Sequence, residues 1–226
     1  IQGFSTLQLD GMTADQVAGL STLQFSKLTA SQLGSLDTVQ LQAMTTDQAK
    51  AMTAAQVTSL SAAQLGKLED ADLAQLSTGV IAGFDSNQIQ GLTAAQMAGL
   101  TSTQLGALTA TQVGAMTTAQ IAGIENVDIK YLNTGAIVAL TTAQAGILNA
   151  AQLAGLTSAQ VKVLEAADIT ALSAEALSGL TSAQAPVLPV TQLGTTTSAQ
   201  LVKLGEVEIQ QESTRGRGRM TSERLD

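Results

Sequence analysis

Leu92-Thr-Ala-Ala-Gln-Met-Ala-Gly99, Leu100-Thr-Ser-Thr-Gln-Leu-Gly-Ala107 and Leu108-Thr-Ala-Thr-Gln-Val-Gly-Ala115 follow one another without a gap. Each is the same eight-residue unit, and the register extends in both directions without insertion or deletion. It runs from Phe4 to Gln211, which makes 26 octads in the 226-residue chain. Position 1 is apolar in every octad except the one beginning at Thr196, and position 6 is apolar throughout, although Ala49, Ala145 and Ala185 are small. A fixed short period of this kind is the signature of a stacked repeat architecture.

The polar positions carry a local instruction. Position 2 is Ser, Thr, Asp or Asn in 21 of 26 octads, the exceptions being Glu69, Glu125, Glu165, Pro189 and Gly205, and position 5 is Gln in 19. A hydroxyl followed three residues later by Gln is a capping box: the hydroxyl accepts from the N3 amide, and Gln reaches back to the N-cap amide. Positions 1 and 6 then form the two ends of a hydrophobic staple. Thr93/Gln96, Thr101/Gln104, Thr109/Gln112 and Thr117/Gln120 are the clearest such pairs.

One continuous helix does not suit this pattern. Eight residues at about 100° each overshoot two turns by about 80°, so the apolar stripe would drift around the axis. The expectation is an all-α solenoid of very short capped helices, one per octad, covering positions 3 to 8 and bending at positions 1 and 2. Such helices are too short to stand alone and depend on their neighbours. The alternative is a parallel β-solenoid, which needs in/out alternation. Here the apolar spacing is five, three, five, three, and Ala and Gln are poor strand formers.

Composition agrees with a thin, repetitive core. Aromatic residues make up 2% and charged residues 12%, where about 25% charged is usual. Cysteine and histidine are both missing, which removes disulfides, thiolate metal sites and the usual general base. No apolar run approaches the roughly 18 residues of a membrane span. The net charge of −8 disfavours nucleic acid and anionic membranes as partners. No nucleotide-binding glycine loop and no nucleophile–base set is present, so the expectation is a non-enzyme without cofactors.

Three octads depart from the consensus by carrying a Glu/Asp pair: Glu69/Asp72, Glu125/Asp128 and Glu165/Asp168, with Asp70 adding a third acid to the first. Glu206 and Glu208 form a weaker fourth instance. The next octad after each of the first three has Val80, Ala136 or Ala176 in place of Gln. The octads at Leu68, Ile124, Leu164 and Leu204 lie seven, five and five octads apart. The plain reading is a structural mark in the winding. The sharper one is calcium, although no glycine-bearing oxygen loop accompanies these acids.

Ile1-Gln2-Gly3 matches the close of an octad (compare Ile89-Gln90-Gly91), as expected of a piece from a longer array. Residues 1–211 are assigned to the solenoid and 212–226 to a polar tail, in which Arg215, Arg217 and Arg219 alternate with glycine.

Strings such as Thr117-Thr-Ala-Gln-Ile-Ala-Gly123, with Glu-x-x-Asp variants such as Leu164-Glu-Ala-Ala-Asp-Ile169, resemble the octad arrays of very large bacterial secreted or surface adhesin-like proteins. That resemblance implies a secreted, fibrous or spacer role at the cell surface and no catalytic residues. An LTxxQ motif also occurs in small periplasmic stress chaperones, but a few times rather than in continuous octads. The expected partner is a second copy, joined head to tail or laterally. Competing expectations are a solenoid that binds glycan, peptide or ice, and a calcium-stabilised segment of a toxin-like protein.

Overall fold

A computed structural model of the chain describes Ile1 and residues 3–207. The described residues are helical with no strand. The α-helices before residue 198 are four to six residues long and begin at position 3 of an octad, as Ala94–Ala98, Ser102–Ala107 and Ala110–Ala115 illustrate. The chain is thus an all-α solenoid.

Each octad folds by one local recipe. Position 2 is extended (Thr93 at φ −77°, ψ 162°), and its carbonyl accepts the first helical hydrogen bond, from Met97 N–H at 3.0 Å. The helix closes with a tighter i→i−3 bond, such as Leu108 N–H to the Leu105 carbonyl at 3.2 Å. Position 1 of the next octad then turns extended, as Leu108 does at φ −60°, ψ 132°. Two successive extended residues therefore make the bend. No described residue, glycine included, has a positive φ. The winding consequently needs no left-handed glycine cap.

Positions 1 and 6 supply the core. Leu100, Leu105, Leu108 and Val113 are all buried, and the pattern repeats from Leu28 to Leu188. Two apolar residues per octad, each worth roughly 1.5–3 kcal/mol on burial, reward stacking where the short helix by itself gains nothing. Ala94–Ala98 packs on Thr118–Gly123, three octads ahead, and Thr142–Gly146 packs in the same way on Ala166–Ala171.

Small residues at position 8 set how closely the turns approach. A Cβ on Gly91 would lie 2.4 Å from the Ala62 carbonyl oxygen, and one on Gly123 would lie 2.6 Å from that of Ala94. At these positions glycine serves close backbone approach rather than an unusual φ.

The described chain forms two compact units, one of Ile1–Ile124 with Tyr131–Ala136, the other of Glu125–Lys130 with the described residues from Ile137 onward. Three octads depart from the recipe. The octad at Ile124 has a 3₁₀ turn, Ile129–Tyr131, in place of an α-helix. In the octad at Leu180, Pro186 removes a helical N–H, and the chain tightens into the 3₁₀ turn Ala185–Val187. At Leu204 no bend occurs: the helix that begins at residue 198 continues through residue 207. Gly205 stands at the cap position there and has no side chain to start a new helix. The expected tail at 212–226 lies outside the described residues.

Candidate functional site

Among the described residues the position-5 glutamines form a repeating polar system within each unit, and they begin as caps. Thr93 Oγ1 accepts from Gln96 N–H at 3.0 Å, while Gln96 Oε1 accepts from Thr93 N–H at 2.8 Å. Thr101/Gln104, Thr109/Gln112 and Thr117/Gln120 repeat this reciprocal pair at 2.8–3.3 Å. Asp37, Asp85 and Asn149 do the same with a carboxylate or amide oxygen.

The glutamine side chain also has an amide nitrogen, which the cap does not use. Gln96 Nε2 donates to the Leu65 and Leu68 carbonyls at 2.9 and 2.8 Å. Gln40 Nε2 reaches the Leu9, Asp10 and Met12 carbonyls at 3.0, 3.1 and 2.7 Å. Gln104, Gln112 and Gln120 repeat the bridge to Leu73 and Leu76, Ile81 and Phe84, and Ile89 and Leu92. In the second unit Gln200 binds the Ile169, Thr170 and Leu172 carbonyls.

The acceptors lie 28 to 31 residues back, between three and four octads, so each bridge ties one turn of the winding to the preceding one. One buried side chain therefore starts its own helix and binds the open carbonyls of the turn beneath. The capping role was legible in the sequence; the bridge was not. Its signal was the choice of amide over acid: a capping box accepts Glu as readily as Gln, yet Glu occupies position 5 only at residue 208. Glu has no N–H to give.

Where Gln is missing, the structure substitutes differently each time. Ala136 cannot bridge, but Asn133 at position 2 donates through Nδ2 to the Leu108 carbonyl at 2.7 Å, 28 residues before Ala136. Val80 and Ala176 fill their places with apolar bulk and keep only the Ser77 and Ser173 caps.

The three acidic octads are not alike. Glu69, Asp70, Glu125 and Glu165 are exposed, Asp128 is half-buried, and Asp72 and Asp168 are buried. Asp168 Oδ2 accepts from Glu165 N–H at 3.3 Å, taking over the cap half of glutamine's role. Glu69 and Asp72 form no such cap. Burial first, then the neighbouring Glu69 charge, raises Asp72 from 3.8 to about 6. Burial also raises Asp168, partly countered by the Glu165 N–H and reinforced by the Glu165 charge. Among the described residues no group of three or more acidic side chains is placed to hold a metal ion. No helix among them is long and apolar enough to cross a membrane.

Residues 65–102 and 121–158 match the model of a family described as the ALTTAQ repeat. The two matches are similar in kind to the octad array and together cover about a third of the chain. No curated protein and no solved structure matches it.

Proposed function

We propose that the chain is a non-enzymatic structural spacer of an extracellular or cell-surface fibre, and that it associates end to end with further copies. The observation that carries this reading is the glutamine bridge. Where it forms, the bridge gives donors to the preceding turn and leaves carbonyls for the following one, so the winding is a template for its own continuation.

Gln8, Gln16 and Gln24 keep the cap half of the arrangement, at 2.8–2.9 Å. They are exposed, and no hydrogen bond engages their Nε2 groups among the described residues. A further turn of the same geometry, from the same chain or from a second copy, offers the carbonyls these amides need. A heterologous contact that does not close produces fibres. The position-5 glutamines that bridge are engaged with backbone at both ends of the amide, a structural use of the repeated polar groups that supports the non-enzymatic reading. The resemblance of the octads to arrays in very large secreted and surface proteins supports the location.

Light scattering and electron microscopy test the association. The expected outcome is filaments whose length grows with concentration, shortened when Gln8, Gln16 and Gln24 are together replaced by Ala. Monodisperse particles at high concentration rule out end-to-end association. Protease accessibility on intact cells tests the location, and protection until lysis contradicts it.

A further inference from the structure

The acidic octad at 68–75 leaves two acceptors without a donor. Asp72 occupies the bridging position, is 3% exposed with its carboxylate oxygens still touching solvent, and receives no hydrogen bond from the protein. The carbonyl 28 residues back, that of Met44, is the counterpart of the one glutamine engages elsewhere (Leu60 for Gln88, Leu68 for Gln96), and no hydrogen bond reaches it either. The register of the other bridges directs the Asp72 carboxylate toward that carbonyl, and two acceptors form no bond while the carboxylate is charged. One proton on Asp72 turns it into a donor and makes the bond possible.

Among the described residues no ion pair relieves the charge instead. The helix Asp70–Leu73 packs on Thr46–Lys50 and Ala94–Ala98. The first carries Asp47 and Lys50, both exposed, and the second carries no charged residue. On the near side stand Glu69 and Asp70, exposed and of the same sign as Asp72, with Lys67 exposed at the end of the preceding octad.

We propose that Asp72 is a proton-operated latch between turns, open when ionised and closed in acid, when its carboxyl donates to the carbonyl edge of the preceding turn at Met44. Asp168 serves as an internal contrast: it is equally buried, but its carboxylate already accepts from Glu165 N–H, so its charged form has a partner that Asp72 lacks.

The upward shift at Asp72, to about 6, fixes the sign of the effect. A group whose folded pKa lies above its unfolded value contributes stability that is fully present below the unfolded value and lost as pH rises through the folded one. The latch therefore tightens between about pH 6 and pH 4, the range in which proteins usually begin to lose stability through other carboxylates.

Thermal melts of the native chain, Asp72→Asn and Asp72→Gln between pH 7.5 and 4.5, with carboxyl ¹³C NMR of Asp72, test it. Asn is neutral at every pH, so the difference between native and Asp72→Asn isolates this group. The expected result is a ¹³C midpoint near 6 and a native Tm that gains about 5 °C relative to Asp72→Asn on acidification. Asp72→Gln, which installs the residue of most other octads, is expected to be the most stable at pH 7.5. If Asp72→Asn does not fold, Asp72→Gln supplies the reference. A midpoint at the ordinary carboxylate value, or the same pH profile in native and variant, overturns the latch.

Discussion

At the residue scale, the two ends of the glutamine amide do different things, and substitution separates them. Thr93→Ala removes one cap acceptor and is expected to cost about 1 kcal/mol. Gln96→Glu retains an acceptor for Thr93 N–H but has no N–H for the Leu65 and Leu68 carbonyls and places a charge in a buried site. Unsatisfied buried groups cost about 1–3 kcal/mol, more when charged. Gln96→Glu is therefore expected to lower stability at pH 7 by at least twice as much as Thr93→Ala, measured by chemical denaturation. Equal losses would show that the bridge contributes nothing and that Gln is present only as a cap. Asp72 is the natural version of this substitution, and Glu208 stands at the same position beyond the described residues.

At the scale of the element, an octad is a helix of four to six residues that cannot form alone, held by one cap, one bridge and two core side chains. The octad at Leu188 lacks one of these parts. Pro189 occupies the cap position and has no N–H, and Gln192 Oε1 is the one buried side-chain polar atom without a partner among the described residues. Its amide still bridges to the Leu164 carbonyl. Pro189 sits at φ −64°, ψ 150°, a conformation Ser adopts without strain. Pro189→Ser supplies both an N–H for Gln192 Oε1 and a hydroxyl for Gln192 N–H, together about 1–2 kcal/mol. The freer unfolded chain takes back about 0.4–1 kcal/mol. The expected outcome is a net gain, read as a higher Tm; a lower Tm would mean that proline's rigidity matters more than the orphaned acceptor. The 3₁₀ turn at Ala185–Val187 follows from Pro186 in the same physical terms, and Pro189 was visible as an exception in the sequence.

At the scale of the whole molecule, stability in such an array is a sum of weak octads and strong contacts between turns. Hydrogen exchange should therefore follow the bridges rather than the helices. Amides of octads 4–27, whose Gln8, Gln16 and Gln24 cap but do not bridge, are expected to exchange fastest in the first unit. Those of 92–123 are expected to exchange slowest, because Gln96, Gln104, Gln112 and Gln120 all reach back. Uniform protection across both segments would show that caps and core alone set local stability. An increase in protection at 68–75 in acid is the same experiment's view of the Asp72 latch.

The octad period, the capping pairs and the two apolar positions were enough to specify short helices starting at position 3 and separated by bends. These rest on interactions within eight residues, and hydroxyl, amide and staple positions state them directly. What lay beyond the sequence was where each Gln amide nitrogen goes, which acids are buried, and why Gly91 and Gly123 must be small. Those depend on a partner 25 to 31 residues away, as in the Gln90-to-Ala115 and Gln200-to-Ile169 bonds. The number of octads per turn decides which partner that is. No single octad encodes that number, because it emerges only when many bends accumulate and the backbones of successive turns come into contact.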